Sequence, residues 1–246
     1  MLKKARIKVK ETFAGFTLLS VELIILLAIF AGAIVLFIVI AEMVFGNNKS
    51  DFDLHAFKFL SGFVSDVNTN VMLFFTFLGT HIFLIPANLI LVSYFLFIKK
   101  HRWYSIKIPV VAISSLALMF SLKYLFRRNR PLTPLLEHAK GYSFPSGHAL
   151  MSFTFYGLLI YLTWINVKNK WLKWLSITAL ALLIFIIGLS RVYLRVHYAS
   201  DVIAGYCLGC IWLLLSVWVL GKIEKFTSKK VAPIVEEKKR PVANIS

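Results

Sequence analysis

The chain has 246 residues, 59% of them hydrophobic and 16% charged, with 28 Lys plus Arg against 11 Asp plus Glu and a formal net charge of +17. This composition excludes intrinsic disorder and a small disulfide scaffold. The apolar residues come in long unbroken blocks, so the chain reads as an integral membrane protein, and its basic surplus is assigned to membrane topology rather than to nucleic acid.

Residues 1–22 carry Lys3, Lys4, Arg6, Lys8 and Lys10 ahead of the first uncharged block, 23–41. That block is too long for the apolar core of a signal peptide and is followed by no convincing cleavage site, which predicts an uncleaved anchor. Next, Phe52, Ala56, Phe59, Leu60 and Phe63 recur at helical spacing with Asp51, Asp53 and Lys58 among them. A short helix lying in the membrane interface is expected there, serving as a packing connector rather than as a gate.

Five more uncharged blocks follow at 71–98, 108–122, 149–167, 174–190 and 202–221. Each approaches the roughly 20 residues that cross a hydrocarbon core, and the third is expected to extend through Lys123 to Phe126. Only helices satisfy every backbone group in lipid, so the expected fold is all-α: a six-span bundle over 1–221. Cys207 and Cys210 lie in the last block beside Gly205 and Gly209, a small-xxx-small pair that permits close helix packing. The segment 222–246, with Pro233 and Pro241 and no apolar periodicity, is expected to be a flexible cytoplasmic tail.

Basic residues set the orientation. The first segment holds five, the second connection four (Lys99, Lys100, Arg102, Lys107), the fourth three (Lys168, Lys170, Lys173) and the tail seven, 19 of the 28 in all. Both termini are therefore predicted to be cytoplasmic. The other face holds Lys49, Lys58, Lys123, Arg127, Arg128, Arg130, Lys140, Arg191 and Arg195.

Charged groups near a membrane interior are costly, and those retained are functional candidates. Here they cluster. Lys123 and Arg130 follow the third span, Ser146 and His148 open the fourth, Arg191 closes the fifth, and His197 and Asp201 open the sixth, all at the outer face of a six-span path. Lys and Arg in excess of carboxylates make an anion site suited to phosphate. Ser146 is the expected N-cap, and Gly147 allows backbone N–H groups at the positive end of a helix to approach an anion. His197 and Asp201 stand four apart, so one helix face would carry both if that helix began before His197, with Asp201 fixing the imidazole tautomer. His148 lacks a carboxylate neighbour in sequence and is the freer proton donor. A zinc site built from the two His and one Asp is disfavoured by the surrounding cations.

These residues stand in three blocks: KYLFRRNRP over 123–131, PSGH over 145–148 and SRVYLRVHYASD over 190–201. The set resembles the signature of the type 2 phosphatidic-acid phosphatase superfamily, and bacterial undecaprenyl-diphosphate and phosphatidylglycerophosphate phosphatases in particular. The resemblance implies that His197 attacks phosphorus to form a phosphohistidine, with Asp201 orienting it. It implies that His148 protonates the leaving oxygen and then activates water. It also implies that Lys123, Arg130 and Arg191, with Ser146 and the Gly147 amide, hold the phosphoryl oxygens, and that no metal or cofactor is needed.

The expected function is a cell-membrane lipid phosphate phosphatase, working at the outer face on undecaprenyl diphosphate, phosphatidylglycerophosphate or phosphatidic acid. The competing reading is a transporter of phosphate or phospholipid, for which the His–Asp pair would be superfluous. Arg127 and Arg128 would suit the second phosphate of a diphosphate lipid, or else serve as interfacial anchors.

Overall fold

The structure is a computed structural model that describes residues 2–46, 51–132, 134–135 and 141–228, with the backbone alone for 2–20 and 22. The helices are α1 (Leu2–Phe45), α2 (Phe52–Ser61), α3 (Asp66–Leu78), α4 (His81–Ser93), α5 (Arg102–Phe126), α6 (Gly147–Asn166), α7 (Lys170–Tyr193) and α8 (Ala199–Phe226), and a π-helical turn, Tyr94–Ile98, prolongs α4. Among the described residues six helices are long and apolar enough to cross a membrane: Leu23–Phe45 within α1, His81–Ile98, and α5 to α8. The chain is thus an all-α, six-span, multi-pass bundle with short non-spanning helices between spans one and two.

α6 is the central helix. Half of its apolar window is buried inside the protein, against 6% for the α1 span. It packs on α7, α8, α5 and α4, while α1 lies against α8 and α3 against α7. The apolar surface left on the outside, such as Ile24 at 63% and Ile113 at 68% exposed, is what a lipid-facing helix requires.

Two boundaries differ from expectation. The uncharged block 71–98 is two helices rather than one span, broken where Thr80 takes extended backbone and its Oγ1 caps the Phe83 N–H at 3.4 Å. Lipid hydropathy cannot register that break, because Gly79 and Thr80 are uncharged. Its packing reason is visible: a Cβ at Gly79 would come 2.7 Å from Ile187 Cγ2 and 3.2 Å from His148 Cδ2. At the other end α8 runs through 222–226, beyond the expected start of the tail. There Glu224 takes an ion pair at 2.5 Å from Lys107, which lies buried within α5 rather than in a connection. The rest of the tail from 229, and Lys49, His138 and Lys140, lie outside the described residues.

α2 forms where the apolar periodicity placed it, between spans one and two. Ala56, Phe57 and Leu60 pack against the cluster of Ala149, Val192 and Val202, so the helix covers the connection between α7 and α8.

Candidate active site

The site is assembled where the ends of α5 and α7 meet the beginnings of α6 and α8. Ser146 has extended backbone (φ −66, ψ 118) and its Oγ accepts from the Ala149 N–H at 3.4 Å, which starts α6 at Gly147. The Ser146 N–H donates to the Asp201 carbonyl at 2.9 Å, locking the first turn of α6 to that of α8. This approach requires Gly205, where a Cβ would lie 2.8 Å from both Ala149 Cβ and the Ser146 carbonyl oxygen. Gly209 repeats the contact one turn on, against Phe153 Cβ at 2.8 Å. Gly147 admits a neighbouring helix: a Cβ there would come 2.6 Å from Met119 Sδ and 3.7 Å from Lys123 Cε, both on α5.

Asp201 is fully buried in the first turn of α8. Its Oδ2 accepts the Tyr198 N–H at 2.9 Å and its Oδ1 accepts from Arg128 Nη1 at 2.6 Å. Because that cap starts the helix at Ala199, His197 lies in the preceding turn and not on a shared helix face. The turn nonetheless folds the ring back, with Nδ1 3.5 Å from Asp201 Oδ2. Between them sits Ser143, whose Oγ is 3.2 Å from Nδ1 and donates to Asp201 Oδ2.

These contacts assign the tautomer. Arg130 Nη1 lies 3.3 Å from His197 Nε2, and a guanidinium can only donate, so Nε2 must be the acceptor. The ring proton then sits on Nδ1 and points to Ser143 Oγ, which passes its own hydrogen to Asp201. Burial, with the charges of Arg191 and Arg130 adding and Asp201 opposing, pulls His197 down from 6.5 to about 3, so the imidazole is neutral at pH 7.

Three cations gather about the two histidines. Lys123 Nζ donates to the Tyr142 carbonyl at 2.5 Å, Arg130 donates to the carbonyls of Gly141 at 2.9 Å and Val196 at 2.8 Å, and Arg191, 5% exposed, donates from Nη1 to Thr76 Oγ1 at 2.5 Å. Burial also pulls the Arg130 guanidinium below its ordinary value. His148 lies within electrostatic reach of Arg191, His197, Arg130 and Lys123. Its Nε2 and the Nε of Arg191 are buried with no hydrogen-bond partner among the described residues. Buried polar atoms are nearly always paired, so two orphans in one cluster of cations mark where ligand oxygens would enter.

The structure thus brings His148, His197, Asp201, Lys123, Arg130, Ser146, Gly147 and Arg191 to one end of the bundle. Among the described residues no group of three or more His, Cys, Asp or Glu is placed to hold a metal ion.

Residues 104–225 match the family model described as PAP2 superfamily. The chain is 31% identical over 163 residues to phosphatidylglycerophosphatase B of Bacillus subtilis, covering 65% of this chain and 78% of that one. It is also 31% identical over 192 residues to the undecaprenyl-diphosphatase of Sulfolobus acidocaldarius, covering 75% and 87%. The chain belongs to the PAP2 superfamily. In structure it is similar to the crystal structure of a transmembrane PAP2-type phosphatidylglycerolphosphate phosphatase from Bacillus subtilis, with a TM-score of 0.72 and 26% identity over 80% of this chain and 98% of that one. As a PAP2 enzyme it is a membrane lipid phosphatase, acting on a phosphate or diphosphate carried by a bilayer lipid.

Within this PAP2 site the two arginines considered for a second phosphate are already engaged. Arg127 ends α5 in the left-handed region (φ 47), with its guanidinium 4.4 Å from the Tyr124 ring centroid. Arg128 is held by Asp201, by Asp53 Oδ2 at 2.8 Å and by Ser200 Oγ at 2.7 Å, and it lies 3.9 Å from the Tyr198 ring centroid. Sequence reasoning did not reach Ser143, Asp53 or Thr76. The one available signal was Asp53, the single acid within the amphipathic helix α2. Ser143 and Thr76 are ordinary residues in sequence and acquire meaning only from what they touch.

Proposed function

We propose that the protein hydrolyses its lipid phosphate through a phosphohistidine on His197, at a site on the outer face of the membrane with both termini cytoplasmic. The observation that carries this reading is the neutral His197, with its Nδ1 proton directed through Ser143 to Asp201 and its Nε2 lone pair turned toward the cation cluster. That is a nucleophile prepared in the correct tautomer.

In the first step Nε2 displaces Arg130, attacks phosphorus and forms an N–P bond, while the bond from phosphorus to the leaving oxygen breaks. The leaving oxygen takes a proton from His148. In the second step water gives a proton to His148 and its oxygen attacks phosphorus. The N–P bond breaks, inorganic phosphate leaves and His197 recovers its lone pair. Lys123, Arg130, Arg191 and the N–H groups at the start of α6 neutralise the equatorial oxygens as charge spreads over them. Ser146 contributes by capping that helix start. Three fixed cations supply the electrostatic stabilisation, so no metal or cofactor is assigned a role.

Undecaprenyl diphosphate, phosphatidylglycerophosphate and phosphatidic acid are the substrates this reading proposes, the first two because two of its relatives are a phosphatidylglycerophosphatase and an undecaprenyl-diphosphatase. The outer-face assignment is supported by the sequence count, which allots 19 of the 28 Lys and Arg residues to the N-terminal segment, the second and fourth connections and the tail.

The test is phosphate release from purified protein in detergent with phosphorus-labelled lipid, combined with trapping in an alkaline detergent quench. Wild type should show an acid-labile, base-stable protein-bound label that His197→Ala abolishes together with turnover. A chelator should change neither. Turnover that persists in His197→Ala would refute the covalent step, and absence of any phosphate release would favour a transporter. Cysteines placed at 132 and 195 should react with an impermeant reagent added to the outer side of intact cells.

A further inference from the structure

A second basic cleft opens beside the site. It has a volume of about 230 Å³ and is lined by Phe57, Lys58 and Ser61 from α2, by Pro131, and by Arg195. That is short of the ~300–1,000 Å³ of a site for a whole small molecule, and suits one tetrahedral anion better. The lining opposite α2 comes from catalytic segments: Pro131 follows Arg130, and Arg195 stands two residues before His197. The Leu135 N–H donates to the Leu194 carbonyl at 2.9 Å, which holds these walls together.

Two features make the cleft more than a chance gap. Arg195 has φ 53, a left-handed conformation that disfavours any side chain but suits glycine, so the turn keeps an arginine where its backbone would prefer none. And neither Arg195 nor Lys58 has a side-chain hydrogen bond or ion pair with a described residue, in contrast to Arg128, whose two Nη atoms are both bonded, and to Arg127, whose Nε donates to the Tyr124 carbonyl. Two cations of like sign sharing a cleft repel each other, and an anion between them would relieve that repulsion.

We propose that Lys58 and Arg195 form a subsite for the second phosphate of a diphosphate lipid, the phosphate that is not transferred. The inference rests on the phosphatase reading above and narrows its substrate class to diphosphates. The transferred phosphoryl sits among Lys123, Arg130 and Arg191. The second one reaches out under α2 into the cleft, where Arg195 offers its planar fork and Lys58 a point charge.

The test compares the full-length wild type with the Lys58→Ala/Arg195→Gly double variant. Glycine suits φ 53, so the double variant should melt no lower than wild type, and Lys58→Glu at an exposed helix position is the second variant should it not fold. Calorimetric titration with inorganic pyrophosphate and inorganic phosphate gives a binding preference that needs no turnover. Wild type should prefer pyrophosphate by about tenfold or more, as two charge-assisted contacts would give, and the double variant should lose that preference. In detergent, the ratio of kcat/KM for a prenyl diphosphate over the matching prenyl monophosphate should fall about tenfold. An unchanged ratio, equal losses on both substrates, or an effect confined to vesicles containing anionic phospholipid would overturn the proposal, the last by making the pair a headgroup anchor. If wild type releases phosphate from neither lipid the phosphatase reading fails, while the pyrophosphate preference still decides the cleft.

Discussion

Arg128 Nη1 lies 2.6 Å from Asp201 Oδ1, and Nη2 of the same guanidinium lies 2.8 Å from Asp53 Oδ2. One arginine therefore ties the buried carboxylate behind His197 to the interfacial helix α2. Asp53 completes the arrangement by accepting from the Ser200 N–H at 2.9 Å and from its Oγ at 2.6 Å. Asp201 has no access to water, so its charge is stable only while these donors stay in place.

Arg128→Ala should therefore act on kcat rather than on KM. Loosening Asp201 displaces His197 from its aim, and a displacement near 1 Å costs about 10²-fold in rate. Removing one partner of a buried pair should also lower stability by roughly 3–5 kcal/mol. Arg128→Lys restores the charge but not the fork, so it should recover stability more than rate. Steady-state kinetics and thermal melts in detergent check this, and a change in KM with kcat intact would place Arg128 in substrate binding instead.

Ser143→Ala removes the hydroxyl between Nδ1 and Asp201 Oδ2 and leaves a 3.5 Å gap, too long for a good hydrogen bond. The proton on Nδ1 loses its acceptor, and the tautomer with a free Nε2 loses its advantage. A neutral hydrogen bond is worth about 1 kcal/mol, so turnover should fall by several fold to tenfold with KM nearly constant. Phosphohistidine formation in a rapid-quench experiment should slow by the same factor; an unaltered rate would show that Asp201 suffices alone.

Six spans, their order and the gathering of Lys123, Arg130, His148, Arg191, His197 and Asp201 at one end were legible because lipid forces long apolar blocks and topology alone sorts their ends. The break at Gly79–Thr80 was not, since an N-cap inside an uncharged stretch has no hydropathy signature. Nor was the true start of the sixth span legible: spacing of four suggested a common helix face for His197 and Asp201, but the carboxylate caps Tyr198 and the helix begins after the histidine. The roles of Arg127 and Arg128 were read from charge alone, which cannot distinguish a cation facing a substrate from one already paired.

His197 should also shape stability against pH. The folded protein holds it at about 3, whereas the unfolded chain titrates near 6.5. Between those values the unfolded state binds the extra proton, so stability falls as pH drops through that window, by about 1.4 kcal/mol per pH unit from this group. His197→Gln should remove that share of the slope, seen as a flatter dependence of Tm on pH between 4 and 6. Parallel curves for the two proteins would mean that the folded imidazole takes up its proton as readily as the unfolded one.

The register of α6 against α8 offers a sharper structural test, because two glycines on the same helix have opposite surroundings. At Gly205 a methyl group meets Ala149 Cβ and the Ser146 carbonyl at 2.8 Å, neither of which can swing away, while at Gly221 nothing lies within 4 Å. Gly205→Ala should cost about 1–3 kcal/mol through overpacking. It should also reduce turnover, because parting the helices stretches the 2.9 Å bond from Ser146 N–H to Asp201 and with it the relation of Ser146 to His197. Gly221→Ala should leave activity intact and raise stability by up to about 1 kcal/mol, the gain from helix propensity. Thermal melts and phosphate release on the two variants together make the comparison, and equal behaviour would mean that the contact at Gly205 does not hold the site.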